Sequence, residues 1–119
     1  MNAGQSYFTQ KLSDRLCFGN ADALASATDQ PLASDNIRAI VLDMEYTRLC
    51  DSYGIRFLVG LHRRLTAASK RLILYRPYGL IVETLRMVNL LPVFTIAATP
   101  GELDGLLGED PEKLTAPDR

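Results

Sequence analysis

The chain has 119 residues, 47% of them hydrophobic and 23% charged, a balance that suits one globular domain with a real core and excludes a disordered polymer. Net charge is −1 and the basic residues are scattered, so the electrostatic footprint of a nucleic-acid binder is missing. Cys17 and Cys50 are too few for a disulfide framework and fit no metal-ligand spacing; they read as reduced thiols, with neither metal nor cofactor expected.

Met1 to Leu12 has neither a basic n-region nor an apolar h-region, and no apolar run approaches the roughly 18 residues of a membrane span. The expectation is a soluble, cytoplasmic chain with no direct membrane insertion. Ser6 to Leu12 and Arg15 to Phe18 flank a Ser13-Asp14 turn signal and predict a short hairpin, with Tyr7, Phe8, Leu12, Leu16 and Phe18 as its apolar contacts. Asn20 is a helix cap by type, and Ala21, Leu24 and Ala25 recur at helical spacing, which predicts a helix to about Ala27. Pro31 and its small polar neighbours make Thr28 to Asn36 a loop.

Arg38 to Asp43 is an uninterrupted apolar run with β-branched members. That is the pattern of a strand covered on both faces, at the centre of a parallel or mixed sheet. From Tyr53 to Ala68 the residues Ile55, Leu58, Leu61, Leu65 and Ala68 recur every three or four positions, which predicts an amphipathic helix. Gly60 costs about 1 kcal/mol against alanine there, and a close packing approach is the expected reason. Leu72 to Tyr75 reads as a second strand, and after Pro77 a helix follows with Leu80 or Ile81, Leu85 and Val88 facing inward. Asn89 is its expected C-terminal cap, and Pro92 stops any continuation. Val93 to Ala97 is the last strand. Thr99-Pro100-Gly101-Glu102 has capping-box spacing and opens a helix that Gly108 ends. The division is thus a single domain over 1–108 and a charged, proline-containing tail over 109–119 that is expected to be mobile. Strands alternating with helices give an α/β class, a mixed β-sheet with helices packed on it.

The stretch that draws attention is Asp51-Ser52-Tyr53-Gly54, at a helix start after a strand. Such an end offers unpaired backbone N–H groups to an anion, a phosphorylated side chain or a partner's carboxylate; the plainer reading is that Asp51 or Ser52 caps the helix. Catalytic constellations are missing elsewhere. His62 stands beside Arg63 and Arg64 on a helix with no nucleophile near it and reads as surface. Asp43 and Glu45 are explained by capping and solvation at a strand end. Gly101, Gly105 and Gly108 miss both phosphate-loop patterns. Tyr75 and Tyr78, around Arg76-Pro77, read as a ligand edge or as strand-end packing, the latter being commoner.

Four stretches carry a family resemblance: Ala39-Ile40-Val41-Leu42-Asp43; Asp51-Ser52-Tyr53-Gly54 followed by Ile55, Leu58 and Leu61; Leu72-Ile73-Leu74; and Leu85-Arg86-Met87-Val88-Asn89-Leu90. Arg15-Leu16-Cys17 and Asn20-Ala21 add a strand-to-helix corner. In order and spacing, Ile40 through Ala98 resembles the STAS domain family, the module of sulphate transporters and anti-sigma factor antagonists. The resemblance implies an anti-sigma factor antagonist-like fold and a non-enzymatic signalling role. The partner it implies is a regulatory protein, an anti-sigma factor or switch kinase, and an accessory subunit of an ABC-type lipid or anion transport system is the alternative. It also implies that Cys17, Asp51, Ser52, Tyr53 and Gly54 form the partner-binding surface. Tyr53 falls where such antagonists usually carry the serine or threonine that a kinase phosphorylates, and Cys17 falls where they often have an aspartate. Ser52 is the neighbour of that acceptor position. Tyr53 is then either a structural ring laid on the domain or a rigid recognition residue.

Overall fold

The computed structural model describes residues 7–108, and the tail expected over 109–119 lies outside them. The order is β1 (Tyr7–Lys11), β2 (Arg15–Leu16), α1 (Ala21–Ala33), β3 (Ala39–Asp43), β4 (Leu49–Cys50), α2 (Ser52–Ala67), β5 (Arg71–Tyr75), α3 (Gly79–Met87), a 3₁₀ turn (Leu91–Val93), β6 (Thr95–Ala97) and α4 (Pro100–Gly108). Four strands form one sheet in the order β1-β3-β5-β6, and β2 pairs with β4 separately.

The α/β class with helices packed on the sheet is as expected, and every ladder among the described residues is parallel. The opening hairpin does not form. Tyr7 of β1 registers with Ala39 of β3, and Arg15 and Leu16 of β2 register with Leu49 and Cys50. The Ser13-Asp14 signal marks a corner where the chain leaves one sheet for another, and its carbonyls are held from afar. Thr47 Oγ1 donates to the Ser13 carbonyl at 2.7 Å and the Arg48 N–H to that of Asp14 at 2.7 Å. Local turn chemistry cannot distinguish a hairpin from such a corner.

Period-two alternation divides the sheet's side chains between two cores. Ile40, Leu42, Leu72 and Leu74 face a core shared with Leu58, Leu61 and Leu65 of α2 and Ile81 and Leu85 of α3. Val41, Ile73, Tyr75 and Ala97 face the opposite way, against Leu103, Leu106 and Leu107 of α4. All five residues of β3 are buried, which is why Ala39–Asp43 reads as a continuous apolar run. The inward face of α2 is Gly54, Phe57, Leu58, Leu61 and Leu65. Ile55, which the sequence pattern assigned to the core, is only half-buried, and Phe57, which it did not, is buried instead.

Other boundaries move for identifiable reasons. Helix α1 continues through Pro31 to Ala33 where a loop was expected. Its C-terminal carbonyls are gathered by one ammonium: Lys70 Nζ donates to Leu32 and Ser34 at 2.6 Å each and to Pro31 at 3.4 Å. A cation there satisfies orphan acceptors and opposes the negative end of the helix, offsetting the bond lost at proline. Helix α3 ends at Met87, so Val88 becomes its cap and is 46% exposed instead of core. Asn89 adopts the expected left-handed conformation at φ 62°, and Leu90 N–H closes back on the Leu85 carbonyl at 2.9 Å. Val93 belongs to the 3₁₀ turn, since Pro92 favours a tight turn over an extended start, and β6 begins at Thr95. The capping box of α4 is present in a lengthened form. Thr99 Oγ1 accepts from Glu102 N–H at 3.1 Å, while the Glu102 carboxylate accepts from Ala98 N–H at 2.7 Å.

Leu58 is fully buried between α2 and the sheet. Leu58→Ala is expected to lower unfolding free energy by about 2 to 5 kcal/mol in urea titration. A loss below about 0.5 kcal/mol, the size of an ordinary surface effect, would remove Leu58 from the core.

Candidate functional site

The site grows out of the place where β4 ends and α2 begins. β4 is missing from the pattern reading because it has only two residues, so the strand feeding α2 is Leu49–Cys50 and not β3. Asp51 is the N-cap in extended conformation, and its Oδ1 accepts from Gly54 N–H at 2.9 Å. The other oxygen, Oδ2, accepts from Phe18 N–H at 3.3 Å, across 33 residues of sequence. Asp51 N–H in turn donates to the Leu16 carbonyl at 3.2 Å. The helix end expected to be open to an anion therefore already holds its own carboxylate. Ser52 is the first helical residue, exposed, and takes no part in the cap.

Gly54 is buried here for a steric reason. A Cβ on it would lie 2.3 Å from the Leu16 carbonyl oxygen and 2.8 Å from Cys50 Sγ. No real Cβ survives such an approach to backbone, so only glycine lets α2 start flush against the end of β2. The close packing expected at Gly60 is not there, since nothing lies within 4 Å of its Cβ position.

Phe18 and Tyr53 meet edge to face with centroids 4.9 Å apart, and the Arg56 guanidinium lies 5.5 Å from the Tyr53 ring. Both rings are open to solvent, Phe18 at 71% and Tyr53 at 45% exposure. Phe18, expected as a hairpin contact, is the residue that sequence reasoning missed; its partner lies far along the chain, and no periodicity links them. Beside the pair an open cleft of about 370 Å³ is lined by Arg15, Cys17, Leu49, Cys50 and Asp51. The structure thus brings Cys17 and Asp51 to one cleft, and Tyr53 is not among the residues that line it. Burial, then the neighbouring Asp51 carboxylate and the Cys17 thiol, push the Cys50 thiol from its ordinary 9.0 up to about 11.

The corner carrying Cys17 is held by Asn20. Its side chain turns back instead of capping α1: Oδ1 accepts from Cys17 N–H at 2.9 Å, and Nδ2 donates to the Arg15 carbonyl at 2.6 Å. Along the same edge, at the carboxyl ends of the strands, Arg76 joins the two carboxylates noted in the sequence. It lies 3.2 Å from Asp43 Oδ2 and 3.0 Å from Glu45 Oε1, while Asp43 Oδ1 accepts from Glu45 N–H at 3.1 Å. That arrangement consumes the pair as an ion-paired turn, with Arg76 itself left-handed at φ 53°. Tyr75 is buried in the α4-side core and Tyr78 stands exposed with Arg48 4.3 Å from its ring. Lys11 lies 5.1 Å from the Tyr46 ring. His62 is half-buried and packs edge-on against Phe94 at 5.7 Å, a packing role where an exposed one was expected.

The sequence pattern of the STAS domain matches residues 7–103, and the chain belongs to the STAS family. A search of curated proteins returns no match. Solved structures share the fold. The anti-sigma factor antagonist SpoIIAA, in its unphosphorylated form, is similar at TM-score 0.69 and 17% identity over 87% of this chain and 92% of that one. A candidate anti-sigma factor antagonist from Thermotoga maritima gives 0.73 and 18% over 84% and 87%. A sulfate transporter family protein from Wolinella succinogenes gives 0.75 and 15% over 87% and 88%. No helix among the described residues is long and apolar enough to cross a membrane.

Gly54→Ala is expected to destabilise the domain by about 1 to 3 kcal/mol, the usual cost of overpacking, whereas Gly60→Ala is expected to be neutral or stabilising by up to about 1 kcal/mol. Paired denaturant titrations check this; equal effects at the two glycines would contradict the close approach at Leu16.

Proposed function

We propose that this chain is a non-enzymatic signalling module that docks a regulatory protein, an anti-sigma factor or switch kinase, through the α2 N-terminus at Ser52 and Tyr53. Residues 1–108 act as one STAS domain in this reading. The observation that carries it is the solvent-open Phe18–Tyr53 ring pair standing on a fixed helix start. Exposed aromatic rings held by rigid backbone are the side chains that interfaces most often use as anchors, because they bury much area at little entropic cost. Cys17, Asp51 and Gly54 contribute by shaping that end, Asp51 through the cap and Gly54 through the close approach.

Charge along the edge supports a partner with an acidic rim. Asp43 and Glu45 are committed to Arg76, and Asp51 to backbone amides. Lys11, Arg48 and Arg56 lie over aromatic rings and make no ion pair among the described residues. Family membership and the SpoIIAA-like fold favour a regulatory partner. In this reading Tyr53 stands where the sequence resemblance puts the phospho-acceptor, and direct recognition takes the place of ordinary serine phosphorylation at that residue. The second reading, an accessory subunit of an ABC-type lipid or anion transport system, is supported by the likeness to the sulfate transporter family protein.

Co-purification with mass spectrometry separates the two: a soluble GHKL-type kinase supports the first reading, a transport ATPase or permease the second. With the recovered partner, Tyr53→Asp is expected to weaken binding at least tenfold in calorimetry, because a new carboxylate must be desolvated against an acidic rim. The fold is expected to persist, since a negative charge at a helix N-terminus is favourable by about 0.3 to 1 kcal/mol. Arg63→Ala, ten residues or about 15 Å further along the helix, is the control. Equal affinity of wild type and Tyr53→Asp, both folded by circular dichroism, would show that docking lies elsewhere.

A further inference from the structure

Of the two tyrosines around Arg76-Pro77, only Tyr78 is exposed, and Arg48 lies over its ring. The guanidinium carbon is 4.3 Å from the ring centroid, against 5.1 Å for Lys11 over Tyr46 and 5.5 Å for Arg56 over Tyr53. The backbone under both groups is fixed. Thr47 is buried with its hydroxyl on the Ser13 carbonyl at 2.7 Å, and Arg48 N–H donates to the Asp14 carbonyl at 2.7 Å. The Tyr78 carbonyl accepts from Ile81 N–H at 2.9 Å and from Val82 N–H at 3.1 Å as α3 begins. A ring occupies the face of a guanidinium and leaves the planar fork of N–H donors at its edge. Those donors meet no carboxylate among the described residues, and Arg48 is exposed. Arg48 leads directly into β4, whose exposed Leu49 lines the cleft, and Asp51 at the other end of β4 holds the Phe18 amide. The three residue steps from Arg48 to Asp51 cover at most about 10 Å. Two ring-bearing groups, Arg48–Tyr78 and Phe18–Tyr53, therefore stand at the two ends of one short strand, with Leu49 and the cleft between them.

We propose that Arg48, held on the Tyr78 ring, is a second anchor of the docking surface and takes one carboxylate of the regulatory partner, with an apolar partner side chain seated beside it on Leu49. The inference rests on the docking reading above and names the chemistry that surface recognises. A carboxylate fits the fork of a guanidinium in two parallel hydrogen bonds, which fixes its orientation as well as its charge. The carboxylates of the same edge do not compete for it: Asp43 and Glu45 are held by Arg76, and Asp51 by two backbone amides. Contact with the ring removes part of the freedom that a long side chain otherwise loses on binding, so the fork is presented in place. Arginine and aromatic residues of this kind carry most of the affinity at interfaces. Lysine has the charge but neither the fork nor the flat face, so the site distinguishes the two.

The test is calorimetry on the full chain and the protein recovered with it by co-purification, with circular dichroism to show that each variant is folded. Arg48→Ala is expected to weaken binding at least tenfold. Arg48→Lys keeps the charge and is expected to stay at least fivefold weaker than wild type; full affinity with lysine would reduce Arg48 to a general positive charge and overturn the proposal. Tyr78→Phe is expected to bind within about twofold of wild type, and Tyr78→Ala at least fivefold more weakly. Arg48→Ala combined with Tyr78→Ala is expected to bind within about threefold of the weaker single variant, because the two side chains act as one unit. Losses that multiply would mean two independent contacts and would contradict the ring-held anchor. If Tyr53→Asp loses affinity while Arg48→Ala and Tyr78→Ala do not, docking at α2 stands and the second anchor falls. Tyr53→Asp without effect, or a chain that recovers no partner, removes the docking reading and this inference with it.

Discussion

The start of α2 is held by one carboxylate and one missing side chain. Asp51 places one oxygen on the Gly54 amide and the other on the Phe18 amide, and its own N–H bonds the Leu16 carbonyl. Gly54 lets those groups come together, because any Cβ would collide with the same carbonyl. Through these contacts the end of β2, the entry to α1 and the first turn of α2 become one rigid corner. Tyr53 and Phe18 project from that corner side by side, which is the arrangement an interface anchor needs: exposed rings on backbone that loses little freedom when a partner binds.

The two cores stabilise this corner from below. The larger one presses α2 against the sheet through Phe57, Leu58, Leu61 and Leu65, so the helix axis is set by packing along its whole length. The smaller one places α4 on the other face, leaving β3 enclosed on both sides. Function at the carboxyl ends of a parallel sheet is a general property of such folds, because the loops there are free to vary while the strands stay fixed. Here the edge is basic and aromatic, its carboxylates being already paired or capping.

Much of the fold was legible in the sequence where one physical signal dominates. β3 is a run of five apolar or strand-ending residues because both of its faces are covered, and α2 shows its buried stripe at helical spacing. The left-handed Asn89 and the capping residues of α4 follow from local chemistry. What could not be read depends on distant partners. The Ser13-Asp14 corner looks like a hairpin turn until Thr47 and Arg48 are seen to hold it. Pro31 looks like a helix breaker until Lys70 is seen to gather the carbonyls beyond it. Of the candidate-site residues, Asp51 and Tyr53 were visible through their position at a helix start. Phe18 was not, and the wrong glycine, Gly60, was given the close approach that belongs to Gly54.

The locked corner is tested most directly by amide resonances in the Asp51→Ala variant. If the carboxylate ties the two segments together, the amide protons of both Phe18 and Gly54 lose a charged acceptor and both move upfield. Those of Val41 and Leu42 in the central strand should stay where they are, and the variant should remain folded after losing a cap worth about 1 kcal/mol. A spectrum in which Gly54 moves and Phe18 does not would reduce Asp51 to an ordinary helix cap and leave the paired presentation of Phe18 and Tyr53 without its physical cause.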